Sequence, residues 1–307
     1  MIDVLIIGAG PGGLACALYL AKNGVKVHVY EKEHYLNDKV CGDGLSIECI
    51  PELEKLDITI DDLLDIGANK ITRKFEIIQS RYFETIYPIA CLGLSRLKLI
   101  TYLYEKATHL GVNVYFNKNV RKIVKSDAYY IINDELKCKN LVIASGITSS
   151  LVKDKPNDLP LGISSRVYGK SDKLSSNAFY FKYDDRYGNG YAWAFPIGDN
   201  LWNIGVFNSD KKQELKKIYE TFEKSLFDEY MIFERYDRKP QGAFIGSSKM
   251  EVLIQEEAIG DAAYIANYSS GEGITYAIRS GIEKAKEILK RVQWWKTKTT
   301  RVSEKRF

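Results

Sequence analysis

The chain has 307 residues, 45% hydrophobic and 27% charged, enough for one large domain or two intimately joined ones around a full buried core. Its net charge of +4 is concentrated at 290–307, "KRVQWWKTKTTRVSEKRF", where seven Lys/Arg face one Glu; the near-neutral remainder excludes a nucleic-acid-binding stripe. Five cysteines and three histidines lack paired metal-ligand spacing, which argues against a structural zinc site.

"MIDVLIIGAG" is apolar, but Asp3 interrupts it and no basic region precedes it. It reads as a strand rather than a signal peptide or membrane span, and a cytoplasmic chain is expected. The stretch 3–33, "DVLIIGAGPGGLACALYLAKNGVKVHVYEKE", continues as buried strand, glycine turn, helix and second strand. Gly8, Gly10, Gly12 and Gly13 sit at the turn: Gly8 makes it tight, Gly10 lets backbone approach a pyrophosphate, and Gly13 lets helix pack on strand. The helix N-terminus then offers N–H groups and a positive dipole to phosphate. Glu31 closes the second strand and is placed to accept from ribose hydroxyls, with Lys32 beside it. These six residues are the first candidate cofactor contacts.

Next comes "KVCGDGLS" (39–46), a cysteine beside Gly-Asp-Gly where a linker would ordinarily follow. Strand-like segments lie at 71–90 and in "SSRVYGK" and "NAFYFKY". "SRLKLITYLYEKATHLG" (95–111) reads as a helix, and "LVIASGITSSLVK" (141–153) opens as a strand ending in Ala-Ser-Gly. "GYAWAFPIGDNLWNIGVF" alternates on both sides of Gly198-Asp199-Asn200, a hairpin that puts Tyr191, Trp193 and Phe195 on one face. Residues 210–226 form an amphipathic helix presenting Leu215, Ile218, Phe222 and Leu226. Finally, 257–289 reads as a strand ending at Gly260-Asp261, a loop, and a long helix from Gly273.

With its last element the chain resembles the FAD-dependent superfamily typified by para-hydroxybenzoate hydroxylase. The resemblance implies an α/β fold, a Rossmann-like FAD-binding domain interleaved with a mostly antiparallel substrate-binding sheet. The FAD domain would take 1–70, 91–155 and 241–293, the substrate sheet 71–90 and 156–240, and a basic Trp-containing tail 294–307. It implies that Gly260 and Asp261 contact the ribityl chain or pyrophosphate, and that Arg96, opening its helix, lies near the cofactor. An ordinary surface arginine is the alternative. Where the superfamily has Ala-Asp-Gly, this chain has Ser145, a hydroxyl without charge.

Three co-ordered motifs narrow the resemblance to the geranylgeranyl reductase family, flavoenzymes that saturate isoprenoid double bonds. They are Cys41-Gly42-Asp43-Gly44, then Tyr191, Trp193, Phe195 and Pro196, and then Gly271-Glu272-Gly273-Ile274. The resemblance implies Cys41, Gly42, Gly271, Gly273 and Ile274 at the flavin, and Tyr191, Trp193, Phe195, Pro196 and Tyr268 around the substrate. It also implies catalytic parts for Cys41, Tyr191 and Trp193. An unactivated alkene needs a hydride on one carbon and a proton on the other, in a dry pocket. Cys41 is expected to donate or relay that proton; a small buried hydrophobe is the bland alternative. Likewise, the aromatic face either lines the pocket or is a core stripe. Tyr268 stands where relatives carry proline, and family members run further past the last helix.

The expected substrate is an isoprenoid lipid or quinone-type molecule, and the electron donor NAD(P)H or a ferredoxin-like protein. Trp294, Trp295 and the lysines around them form either a solvated terminus or a membrane-surface anchor. Two other functions fit the same fold. One is a flavin monooxygenase or halogenase, the other an electron-transfer flavoprotein without organic turnover.

Overall fold

The computed structural model describes residues 1–151, 156–210, 214–247 and 256–303, with side chains through 292. It opens with β1 (Ile2–Ile7), α1 (Pro11–Lys22) and β2 (Val27–Tyr30), a parallel unit with Val4 opposite Val27 and Ile7 opposite Tyr30. Then come β3 (Gly44–Leu45), α2 (Cys49–Glu54), α3 (Ile60–Asp65), β4 (Asn69–Ile78) and β5 (Arg81–Gly93). After α4 (Arg96–His109) the chain forms β6 (Asn113–Tyr115), β7 (Ile123–Lys125), β8 (Tyr130–Ile132) and β9 (Leu136–Ile143). A second run of strands follows: β10 (Leu161–Lys170), β11 (Ala178–Tyr183), β12 (Gly190–Pro196) and β13 (Leu201–Asn208). The last elements are α5 (Leu215–Tyr230), β14 (Ile232–Phe244) and α6 (Ile274–Ser303).

Among the described residues the strands build two sheets. The first runs β6-β2-β1-β9-β8-β7, parallel from β6 to β9 and antiparallel beyond. Val4 and Ile6 of β1 pack with Leu14, Leu18, Leu99 and Ile278 of α1, α4 and α6, while Leu5 and Ile7 face Leu141, Ile143 and Ala262. Burial on both faces is why β1 reads as an unbroken apolar run rather than an alternating one. This is the Rossmann-like half of a mixed α/β fold.

The second sheet runs β14-β10-β13-β12-β11-β4-β5-β3 and is antiparallel except where β11 meets β4. The hairpin β12–β13 forms around Gly198, Asp199 and Asn200, all with positive φ, the backbone that glycine, Asp and Asn enter most easily. One face of this sheet, with Ala192, Ala194, Ile204 and Val206, is covered by Leu215, Ile218, Phe222 and Leu226 of α5. Its other face carries the aromatic residues.

Three segments differ from the sequence reading. Residues 257–260 form no strand: Ala258 makes a single bridge to Ile143, and Gly260 at φ +60° turns the chain into a short 3-10 turn over Gly260–Ala263. Three residues before a left-handed glycine leave no length for a ladder. The last helix continues past 289 to Ser303. Finally, β14 has no counterpart in the sequence reading, because its polar run "RYDRKPQ" lacks clean alternation. The side chains of Trp294 and Trp295, named for a membrane contact, lie outside the described residues. Among the described residues no helix is long and apolar enough to cross a membrane.

Gly12 and Gly281 bring α1 and α6 into backbone contact: a Cβ on Gly281 would sit 2.3 Å from the Gly12 carbonyl oxygen. Gly281→Ala must therefore push the helices apart. The expected loss is about 1–3 kcal/mol, the usual cost of overpacking, read as a lower urea midpoint at unchanged slope.

Candidate active site

The nucleotide end is assembled by glycines with little freedom. Gly8 has φ +107° and lies against Ala144, while a Cβ on Gly13 would meet the Gly8 carbonyl at 2.0 Å. Gly10 is different: it is the N-cap of α1, makes no side-chain cap bond, and a Cβ there would find only Arg96 Nη2, at 3.6 Å. The first N–H groups of α1 thus lack a side-chain cap beneath an arginine, which is the chemistry of a pyrophosphate cradle. Glu31 leans into the same loop, accepting from the Ala9 N–H (2.8 Å) and the Glu33 N–H (3.1 Å). Lys32 points away and pairs with Glu33 at the surface. Gly12 packs against the Ala277 carbonyl, so it serves the α1–α6 contact.

Asp261 joins this end, its carboxylate 2.5 Å from Lys39 Nζ. Burial would raise its pKa, but Lys39, Arg96 and the Gly246 N–H outweigh that and hold it below the usual carboxylate range. Gly273 borders Asp261, with its Cβ position 3.5 Å from Oδ1. Ser145, beside Gly8, has a buried hydroxyl without a partner. An uncapped helix N-terminus and Arg96 as donors, with the Glu31 carboxylate and the Asp261 pair as acceptors, are a set that fits FAD.

The Cys41 loop bridges this end to the second sheet. The Cys41 carbonyl accepts from Ser164 Oγ (3.1 Å) and Asn203 Nδ2 (2.7 Å), and the Asp43 N–H donates to Cys41 Sγ (3.3 Å). Asp43 is fully buried, at φ +57°, and its carboxylate receives four donors. These are the Arg96 N–H, Arg166 Nε, Arg166 Nη2 and Asn203 Nδ2, at 2.5–3.1 Å. Arg166 turns its other edge to Asp38. Burial, and next the Asp43 charge, push the partly exposed Cys41 thiol up to about 11 against the opposing pull of Arg96, the Asp43 N–H and Arg166. At neutral pH it is a thiol that holds its proton.

Over this loop lies the aromatic face. Gly42 is 3.7 Å from Trp193 and Phe195, and Gly44 is 3.3 Å from Phe179 and Phe195, measured from their Cβ positions. A Cβ at Gly44 would press on these rings, and one at Gly42 would rest in contact with them. Tyr191, Trp193 and Phe195 share the face with Phe179, Phe181 and Phe207, with ring centroids 4.3–6.0 Å apart. Trp193 and Phe195 are buried floor, whereas Tyr191 is partly exposed and donates to the Ser270 carbonyl (2.5 Å).

That bond ties the sheet to the loop before α6. Asn267 caps the loop by accepting from Ser269 and Ser270, which frames Tyr268, and Gly271 at φ +70° packs on the Phe207 ring. Ile274 starts α6 and packs toward the core. Glu272 accepts from Ser46 and Thr275 at 2.5 Å each, fastening "KVCGDGLS" to the same loop.

The structure thus brings together Cys41, Gly42, Tyr191, Trp193 and Phe195 on one side, and Gly10, Glu31, Arg96, Asp261 and Gly273 on the other. Pro196 departs: it is buried at the hairpin end, its carbonyl against Gly93 and Asn69 rather than the Cys41 loop. Sequence reasoning missed Lys39, Asp38, Ser164, Arg166, Asn203 and Glu272. Arg166 carried the one usable signal, a lone charge amid the small and apolar residues of "GISSRVYG".

Comparison with known proteins gives one family, two relatives and two solved structures. A family described as pyridine nucleotide-disulphide oxidoreductase matches residues 2–179. Menaquinone reductase of Mycolicibacterium smegmatis is 24% identical over 91% of this chain and 74% of its own. Digeranylgeranylglycerophospholipid reductase of Thermoplasma acidophilum is 26% identical over 92% and 76%. Among solved structures, a geranylgeranyl bacteriochlorophyll reductase-like protein from Thermoplasma acidophilum superposes with a TM-score of 0.76, at 22% identity, covering 99% of this chain and 83% of its own. A flavin-dependent brominase does so with a TM-score of 0.73, at 19% identity, covering 95% and 79%. At such identity the structures speak for the fold.

Proposed function

The chain belongs to the pyridine nucleotide-disulphide oxidoreductase family, and from that premise we propose that this FAD-dependent oxidoreductase reduces carbon–carbon double bonds of an isoprenoid lipid or quinone. The observation that carries the reading is Cys41, a protonated thiol held by side chains of the second sheet next to a face of aromatic rings. The relatives named as menaquinone and digeranylgeranylglycerophospholipid reductases, similar along nine-tenths of the chain, support the substrate class.

When bound, FAD supplies the hydride. The chain's own residues do the rest. Trp193 and Phe195 present an apolar surface that excludes water, and Tyr191, a neutral phenol, closes the side toward Ser270. Cys41 Sγ delivers its proton to the second alkene carbon, and the thiolate left behind recovers a proton from solvent through its exposed side. An unpolarised alkene offers no basic atom, so the acid must stand at the carbon itself. Electrons come from NAD(P)H or a ferredoxin-like protein.

The test is anaerobic. The bound flavin is reduced chemically, a geranylgeranyl lipid is added, and the visible flavin band is followed. Return of the band without oxygen is the expected result. A band bleached until air enters would transfer the site to oxygen-dependent chemistry.

A further inference from the structure

We propose that Asn203, directly, and Arg166, through Asp43, clamp the Cys41 peptide and so fix where its thiol stands. They are positioning residues, and the inference rests on the reading of Cys41 as proton donor.

Sheet register makes the clamp. Arg166 on β10 lies directly opposite Asn203 on β13, which lies opposite Phe195 on β12; the neighbouring row is Ser164, Gly205 and Trp193. Alternation sends both rows to the same face, toward the Cys41 loop. Gly205 makes room in the second row: its Cβ would stand 2.3 Å from the Trp193 ring. The indole therefore lies flat over the strand and brings Nε1 to Asn203 Oδ1 at 2.8 Å. This bond orients the Asn203 amide, so that its Nδ2 donates both to the Cys41 carbonyl and to Asp43 Oδ2, at 2.7 Å each.

Before Cys41 the loop is tied by the Lys39–Asp261 ion pair, and after it by the Leu94 N–H on the Asp43 carbonyl and by the pairing of β3 with β5; the sheet side chains act on Cys41 itself. Gly42 adds no side chain, and Asp43 sits in the left-handed region. The side-chain contacts at Cys41 and Asp43 are two: the Cys41 carbonyl is held by two sheet side chains, and the Asp43 carboxylate by Arg166, Asn203 and the Arg96 N–H. Asp43 in turn places its own N–H on Cys41 Sγ. A fold needing only a buried ion pair would be served by Arg166 and Asp43 alone. Donors spent on the Cys41 carbonyl, and an aromatic floor that orients one of them, point to control of the thiol.

The experiment measures iodoacetamide alkylation of each cysteine in the FAD-bound protein against pH, by peptide mass spectrometry. Cys16, Cys49, Cys91 and Cys138 are buried and report any general loosening. In Asn203→Ala, which loses the bonds to the Cys41 carbonyl and to the Asp43 carboxylate, Cys41 is expected to react at least about tenfold faster, with the other four unchanged. Asn203→Gln, which keeps the amide, should recover part of the slow rate. Asp43→Asn removes the like charge beside the thiol, so the Cys41 curve should move to lower pH. An unchanged Cys41 rate in Asn203→Ala with an unchanged pH midpoint in Asp43→Asn would overturn the clamp, and so would all five cysteines accelerating together. The alkylation readout stands apart from turnover. If Cys41→Ser still reduced alkenes while the clamp variants behaved as expected, the donor assignment would fall and the clamp would remain.

Discussion

Cys41→Ser is expected to slow alkene reduction by about 10²–10⁴-fold, the usual worth of a positioned acid, while FAD stays bound. Serine keeps the volume and the loop, and nothing in the contacts of Ser164, Asn203 or Asp43 depends on sulfur except the weak Asp43 N–H donation. What changes is acidity, because a hydroxyl gives up its proton far less readily than a thiol. Turnover in the wild type should also carry the thiol's signature. Its pKa is pushed up to about 11, so the donor form is complete across neutral pH and is lost only as pH rises through that value. Activity should therefore be flat near neutrality and fall on the alkaline side. Flavin absorbance of the purified variant, together with the turnover profile, checks both statements. Full turnover in Cys41→Ser would make Cys41 a packing residue, as most unpaired cysteines are.

How much of this was readable in advance follows from what each feature demands of single residues. The fingerprint was legible because Gly8 and Gly13 are forced by contacts of 2.0–2.4 Å that any side chain would violate. The β12–β13 hairpin was legible because its turn needs three consecutive positive φ angles, which Gly198, Asp199 and Asn200 advertise. The buried side of α5 was legible from spacing alone. Asn203 was not: an Asn between apolar residues in a strand looks the same whether it faces water or a loop 160 residues away. Glu272 hid between two glycines that suggested backbone rather than side-chain work, although its carboxylate fastens Ser46 to α6. Long-range pairing of polar groups leaves no local period, and the candidate site is made mostly of such pairs.

Arg166→Met should cost about 3–5 kcal/mol of stability, because it leaves a buried carboxylate without its cation. Arg166 and Asp43 are almost entirely inaccessible, with side chains 5% and 0% exposed. Burial opposes the Arg166 charge, yet Asp43 and Asp38 outweigh it and hold the guanidinium firmly protonated. After the substitution, Asp43 keeps the Arg96 N–H and Asn203 but loses both guanidinium bonds. Methionine fills the volume of the side-chain stem, so the loss is chiefly electrostatic. A double variant separates the two contributions: Arg166→Met with Asp43→Asn removes cation and anion together. It should recover part of the loss, with a coupling of about 0.5–3 kcal/mol between the sites. Urea unfolding of the FAD-bound proteins gives the three free energies, provided the slopes agree. Additive losses would mean that the pair is not a unit. A coupled pair would mean that the loop carrying Cys41 is fastened to the second sheet by an interaction that water cannot replace, and that the thiol keeps its place only while the sheet keeps its register.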